Sequence, residues 1–241
     1  MDTMHSNSSF VSRIAKVFVK LLTKLSPTLS SKLIYRLHTK KKLNLKNPKL
    51  FNEKLMYLKL NDYRNNELVT NCSDKIKVRD YVKEHGLENI LTEIYGIYNN
   101  SNEIDYSKLP DKFALKCNHG CGYNIICVDK DKLNKELTNK KLNKWLNTVF
   151  GYETCEIHYF PIKRKIYCEK YIATDDGIMP NDYKIYCFNG KAKCILVCSE
   201  RDKSLKLSMY DLNWERLDYI NSKFNEDLIY GTENYSKICE L

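Results

Sequence analysis

In the stretch FALKCNHGCGYNIICV, residues 113–128, a lysine ends one apolar run and two glycines follow, two positions apart, before the next. The chain has only 8 glycines in 241 residues, so a pair this close marks backbone with a special task. Phe113-Ala114-Leu115-Lys116 and Ile125-Ile126-Cys127-Val128 read as two strands. Between them, His119-Gly120-Cys121-Gly122-Tyr123-Asn124 has the composition of a loop that turns backbone N–H groups toward one point. Such a concavity holds an anion. Lys116 adds a positive charge at its edge. The same letters also fit an ordinary hairpin with glycines at positive φ. There is no G-x-x-x-x-G-K-[ST] and no G-x-G-x-x-G opening a helix, which excludes a P-loop and a dinucleotide-binding fingerprint.

Charge agrees with an anionic partner. Lys and Arg number 40 against 30 Asp and Glu, a formal +10. Nucleotides, membrane headgroups, nucleic acid and acidic sugars all fit that balance. Nucleic acid is not expected, because the lysines are dispersed and no binding motif is present. Hydrophobic residues make up 43% of the chain, enough for a packed core. The 10 cysteines form no C-x-x-C, and Cys117-x3-Cys121 and Cys194-x3-Cys198 do not match zinc spacings. With no secretory signal read in the first ten residues, the expectation is a cytoplasmic protein with reduced cysteines. Cys127, Cys168, Cys187 and Cys194 lie inside strand-like runs, as core residues would. No apolar run approaches the ~20 residues of a membrane span.

These groups need elements to hold them. Residues 10–25, FVSRIAKVFVKLLTKL, repeat apolar side chains at helical spacing, with Arg13, Lys16, Lys20 and Lys24 opposite. Pro27 is expected to end that helix. Two readings stay open for it: attachment to an anionic membrane face, or an apolar face packed on its own domain with a solvated basic face. HTKKKLNLKN (38–47) is a basic connector. A second helix is expected after Asn52 as N-cap, and a third from Ser73 to Gly86. Residues 131–148 read as a helix burying Leu133, Leu137, Leu142, Trp145, Leu146 and Val149. KIYCEKYI (165–172) reads as a strand. Residues 182–200 read as a hairpin turned at Asn189-Gly190, with Lys184, Tyr186 and Phe188 on one face.

The series FNEKLMYLKLND (51–62), CSDKIKVRDYV (72–82), LPDKFALKCNHGCGYN (109–124), KIYCEKYI (165–172) and DYKIYCFNGK (182–191) resembles the TupA-like ATP-grasp family. The likeness runs from about Pro48 to Leu217 and includes YDLNWERL (210–217). These proteins are associated with cell-surface polysaccharide or teichuronopeptide synthesis and often carry a glycosyltransferase label. The resemblance implies an α+β fold in which two lobes with antiparallel sheets hold ATP, here preceded by N-terminal helices. The expected organisation is a helical segment 1–47, a first lobe 48–164 and a second lobe 165–241. The implied chemistry is ATP-dependent joining of a carboxylate to an amine through an acyl phosphate.

The resemblance also implies site residues. Lys75 reaches a phosphate from the first lobe, and Lys116 contacts the α-phosphate and the adenine edge. Gly120, Cys121, Gly122 and Asn124 form a lid over the β- and γ-phosphates. Glu169, Lys170, Tyr171 and Ile172 pair with adenine, and Asp175 or Asp176 holds the ribose. Lys184 binds phosphate from the second lobe, and Arg201 contacts the γ-phosphate or substrate. Magnesium ligands in such enzymes lie on late strands of the second lobe. Here Glu226, Asp227, Glu233 and Asn234 follow Trp214 without an apolar strand around them. The second lobe is therefore expected to be incomplete and the metal ligands unassigned. Two other functions stay open: a non-catalytic binding module at the inner membrane face, and a glycosyltransferase. For the latter the only D-x-D is Asp129-Lys130-Asp131, in a strand-to-helix turn.

Overall fold

The computed structural model describes residues 10–172, 180–200 and 204–217. Six α-helices fall among them: α1 (Phe10–Leu25), α2 (Pro27–Thr39), α3 (Phe51–Leu60), α4 (Glu67–Ser73), α5 (Val78–Glu84) and α6 (Lys135–Leu146). The strands are β1 (Ile94–Tyr98), β2 (Phe113–Cys117), β3 (Asn124–Cys127), β4 (Ile166–Lys170), β5 (Asp182–Phe188), β6 (Lys191–Ser199), β7 (Lys206–Tyr210) and β8 (Arg216–Leu217). They form two four-stranded sheets, β1-β4-β2-β3 and β5-β6-β7-β8, with every pairing antiparallel. The fold is α+β.

The chain divides into two compact units, Met1–Ile34 with Tyr57–Tyr171, and Tyr35–Met56 with Ile172–Leu241. In the first unit, one face of the sheet is the core. Phe113, Leu115 and Cys117 of β2 alternate inward with Ile166 and Cys168 of β4, and Leu142 of α6, Ile104, Tyr106 and Leu109 complete the cluster. Asn134 caps α6 by accepting from the Leu137 N–H at 2.9 Å. Leu137 itself is about half exposed, not buried as its spacing predicts. KIYCEKYI, which the sequence places at the start of the second lobe, supplies β4, and β4 is bonded between β1 and β2 inside the first sheet.

Helix α1 ends at Leu25, ahead of Pro27, as expected; that the proline then opens a second helix is not read from the sequence. Ser26 breaks the run and accepts from the Leu29 N–H at 3.3 Å, while Pro27 starts α2. Proline suits a first helical position because its missing N–H would be unpaired there anyway. The side of α1 that packs is also unexpected. Thr23 is buried, sharing a hydrogen bond with Ser30 Oγ at 2.7 Å and donating to the Tyr152 carbonyl at 2.8 Å. Lys20 pairs with Glu153 at 3.2 Å, and Lys24 lies 5.3 Å from the Tyr152 ring centre. Ile14, Val17, Phe18, Leu21 and Leu25 face solvent. The polar side of α1 docks and the apolar side does not, the reverse of the packed-helix reading.

In the second unit, Cys194, Leu196 and Cys198 of β6 pack with Met209 of β7, backed by Tyr186, Phe188, Leu207 and Leu217. Asn189 and Gly190 have φ of 48° and 75°, the pair of positive values that a two-residue type I′ turn needs. A bulge follows Tyr186. Cys187 is exposed and not a core cysteine, because it falls on the face opposite Tyr186 and Phe188. Helix α3 begins at Phe51, so Asn52 lies inside its first turn. The capping group is the buried Glu53, which accepts from the N–H groups of Asn44, Lys49 and Leu50 at 3.3, 3.0 and 3.1 Å. A glutamate at the third helical position reaching back to the cap N–H is one half of a capping box.

Candidate functional site

The site stands on the sheet face opposite the first unit's core. Cross-strand register puts Ala114 and Lys116 of β2, Asn124 and Ile126 of β3, and Tyr167 and Glu169 of β4 on that face. Lys116 is opposite Tyr167, and Glu169 is opposite Ala114. Lys116 and Glu169 are thus diagonal neighbours on adjacent strands, close enough for long side chains to meet. Their ammonium and carboxylate form an ion pair. Glu169 is buried, and its phenolic neighbour Tyr167 is pushed above its ordinary pKa by burial, with the Glu169 charge adding to the effect.

Lys75 approaches from the turn between α4 and α5. The sequence reads Ser73 as a helix start; instead α4 ends there and Asp74 organises a turn. Its Oδ1 accepts from the Ile76 N–H at 2.9 Å and the Lys77 N–H at 3.3 Å. That turn points the Lys75 ammonium at the Gly120 carbonyl, to which it donates a hydrogen bond. Burial holds Lys75 below its ordinary pKa; the Cys121 thiol opposes this, and the positive charge of Lys116 adds to it. Two ammonium groups from segments far apart in sequence therefore feel each other in one partly desolvated place. An anion there relieves both the repulsion and the lost hydration.

The loop between β2 and β3 is anchored at both ends. The Cys117 N–H donates to the Tyr123 carbonyl at 2.9 Å. Asn118 is buried; its Nδ2 donates to Asp74 Oδ1 at 2.9 Å and to the Lys163 carbonyl at 3.0 Å, and its Oδ1 accepts from the Lys165 N–H at 2.7 Å. Beyond that anchor Cys121 and Gly122 are exposed, and among the described residues their N–H groups donate to no protein acceptor. The two glycines differ in purpose. Gly122 has φ +73° with open space around it, so its need is conformational. At Gly120 a Cβ would come within 2.6 Å of the Tyr123 ring, so its need is close packing.

His119 is the loop's inner pin. Its Nε2 lies 3.1 Å from the Trp145 carbonyl and 3.2 Å from the Thr148 carbonyl, and Tyr123 packs on its ring. Burial lowers its pKa from the ordinary 6.5, while those two carbonyls oppose the shift. A histidine depressed in the folded state adds stability above its unfolded pKa and loses it as pH falls through the folded value. Thermal melting followed from about pH 8 to about pH 5 is expected to show a falling midpoint. His119→Gln, which keeps a donor, is expected to flatten that slope. His158, also lowered by burial, leaves a residual slope of the same sign.

The structure brings together Lys75, Lys116, Gly120, Cys121, Asn124 and Glu169 in the first unit. Lys170 alternates to the other face of β4; its N–H donates to the Glu93 carbonyl at 2.9 Å. Tyr171 and Ile172 follow, at the boundary of the two units. Lys184 stands on β5 of the second unit, 3.3 Å from both Asp182 Oδ2 and Cys198 Sγ. Burial would lower its pKa, but Cys198 and Asp182 outweigh that and the net direction is up. Asp175, Asp176, Arg201, Glu226, Asp227, Glu233 and Asn234 lie outside the described residues. Asn118, His119 and Tyr167 carry no signal of their own in the sequence, because their burial is set by long-range pairings.

The first unit's donor set fits a nucleotide polyphosphate: two ammonium groups, unpaired N–H groups in a glycine loop, and a carboxylate beside the apolar floor of Ala114 and Ile126. Among the described residues no three His, Cys, Asp or Glu side chains gather as metal ligands. Asp129 of the D-x-D is occupied, accepting from the Asp131 and Lys132 N–H groups at 3.1 and 3.3 Å and pairing with Lys132 at 2.7 Å. The buried thiols of Cys117 and Cys168 are each pushed up to about 12 by burial, so they pack and do not act as nucleophiles. A family model described as TupA-like ATPgrasp matches residues 53–241. No curated protein and no solved structure matches the sequence.

Proposed function

The chain belongs to the TupA-like ATP-grasp family, and from that premise we propose that it is an ATP-dependent carboxylate–amine ligase. Its place is the cytoplasm, where ATP is supplied, and its products serve cell-surface polysaccharide or teichuronopeptide synthesis. The observation that carries the reading is the meeting of Lys75 and Lys116 at the glycine loop, with Glu169 beside them.

In this reading a substrate carboxylate oxygen attacks the γ-phosphorus and the bond to the β–γ bridging oxygen breaks, releasing ADP. An amine nitrogen then attacks the acyl carbon, phosphate leaves, and the amine's proton passes to solvent. Protein does little covalent work in such a transfer; it places positive charge and N–H donors where negative charge gathers. Lys116 holds the α-phosphate side, and Glu169 orients Lys116 and faces the adenine amino group. Lys75 fixes the loop through Gly120 and lends charge. Cys121 and Gly122 offer their N–H groups to the outer phosphates. Lys184, on β5 of the second unit, and Arg201 are the further cations that the family likeness assigns to phosphate and substrate. Magnesium, where bound, screens the phosphate charges and orients the γ-phosphoryl group.

Calorimetric titration with ATP, with and without magnesium, tests the first half. ADP release on adding pairs of carboxylic acids and amines or amino sugars tests the second. ATP binding with acid-dependent ADP release is the expected result. ATP binding without turnover leaves a nucleotide-binding member that is not a ligase. Preference for a nucleotide sugar over ATP overturns the proposal.

A further inference from the structure

We propose that α1 docks on an anionic lipid surface, apolar face down, and holds the protein at a membrane. Two independent observations carry this, and neither rests on the nucleotide reading. The first is the reversed packing of α1. Ile14, Val17, Phe18 and Leu21 are each more than half exposed and Leu25 is 85% exposed, and they fall on one stripe of the helix. The helix is held to its own unit from behind, by Thr23 on the Tyr152 carbonyl, Lys20 on Glu153 and Lys24 over the Tyr152 ring. A helix fastened by its polar side presents its apolar side outward as a fixed surface. A contiguous patch of this kind marks an interaction site.

The second observation is where the charge lies. Of the 40 Lys and Arg residues, 11 fall between Thr3 and Asn52, a segment with no Asp or Glu at all. The rest of the chain carries 29 cations against 30 anions. The whole positive excess thus sits in the segment that contains the apolar stripe. Apolar side chains entering the acyl boundary, within a chain segment that carries cations and no acid to draw it to anionic headgroups, are the two signals a peripheral helix uses. At 16 residues, α1 lies on a bilayer and does not cross it, and among the described residues no helix is long and apolar enough to span. A second copy of the chain is the weaker occupant, since it would bring two acid-free basic segments against each other.

The test uses the full chain. Co-sedimentation is measured with vesicles of phosphatidylcholine alone and of phosphatidylcholine with phosphatidylglycerol, at low and high salt. The expected result is partitioning into the anionic vesicles roughly tenfold or more above the neutral ones, weakened by salt. F18E/L21E is expected to fall to the neutral-vesicle level with an unchanged melting temperature, because both side chains are already in water. If F18E/L21E does not fold, L25E at the most exposed position gives the same reading. Equal partitioning of the wild type into both vesicles overturns the proposal. So does undiminished binding by the folded variant, which would mean bulk charge alone. A dimer in analytical ultracentrifugation that F18E/L21E splits, with no lipid preference, assigns the stripe to a second copy and also overturns it.

Discussion

Lys116→Ala is expected to weaken ATP binding by roughly thirtyfold to a hundredfold and to lower the melting temperature, and a second substitution separates the two losses. The binding loss follows from removing a charged donor from a partly desolvated phosphate site, a contact worth about 2–3 kcal/mol. The stability loss has a different cause. Glu169 is buried and its carboxylate is paired with the Lys116 ammonium. Deleting one partner of a buried pair leaves the other charge uncompensated, at about 3–5 kcal/mol when both are fully buried. The Lys116 side chain keeps 29% exposure, so water shares the work and roughly 2 kcal/mol is the better expectation. Adding Glu169→Gln to Lys116→Ala removes the stranded charge. The double variant is therefore expected to regain most of the melting temperature while ATP binding stays lost. Calorimetric titration and thermal melting on the same three proteins check this. Full ATP affinity in Lys116→Ala would remove Lys116 from the nucleotide site.

What the sequence made legible was local. Both hairpins were, because alternation and turn residues lie within a few positions of each other: Lys116 with Gly122, and Asn189-Gly190 between two strands. Non-local pairing was not. Nothing in KIYCEKYI says that it enters the first sheet between β1 and β2, and only that entry sets Glu169 beside Lys116, 53 residues away. Asp74 shows a different limit. A carboxylate accepting the N–H groups two and three residues on looks alike at a helix start and in an isolated turn, and only the turn sends Lys75 to Gly120. The amphipathic pattern of residues 10–25 was plain. Which face would dock was not, because the decision lay with Tyr152 and Glu153, far along the chain. The glycine loop could be read as a candidate anion site, while its anchors Asn118 and His119 read as ordinary loop polars.

Asn118 is the anchor with the most to lose. It joins three segments: its side chain bonds Asp74, the Lys163 carbonyl and the Lys165 N–H, and its own carbonyl accepts from the Lys75 N–H at 3.1 Å. Asn118→Ala takes away the partner of the Lys163 carbonyl and the Lys165 N–H; Lys163 is exposed and Lys165 half-buried, so water reaches part of the gap and each group costs about 1 kcal/mol, the low end for an unsatisfied group. A loss of roughly 2 kcal/mol is expected, with weaker ATP binding because Lys75 and the glycine loop lose their common post. Asn118→Asp is the sharper test. It keeps the acceptor for the Lys165 N–H but sets an oxygen where Nδ2 stood, 2.9 Å from Asp74 Oδ1. Two carboxylates that close cannot both ionise cheaply, so the folded pKa of the pair is raised above its unfolded value. By linkage the penalty is present at neutral pH and fades as pH falls through the raised folded pKa. Asn118→Asp is therefore expected to melt below Asn118→Ala near pH 7 and to gain on it as the medium is acidified. That trend is opposite in sign to the one His119 imposes on the wild type. Melting curves of the two variants across that range decide it: parallel pH dependences would mean that the Asn118 amide does not face Asp74.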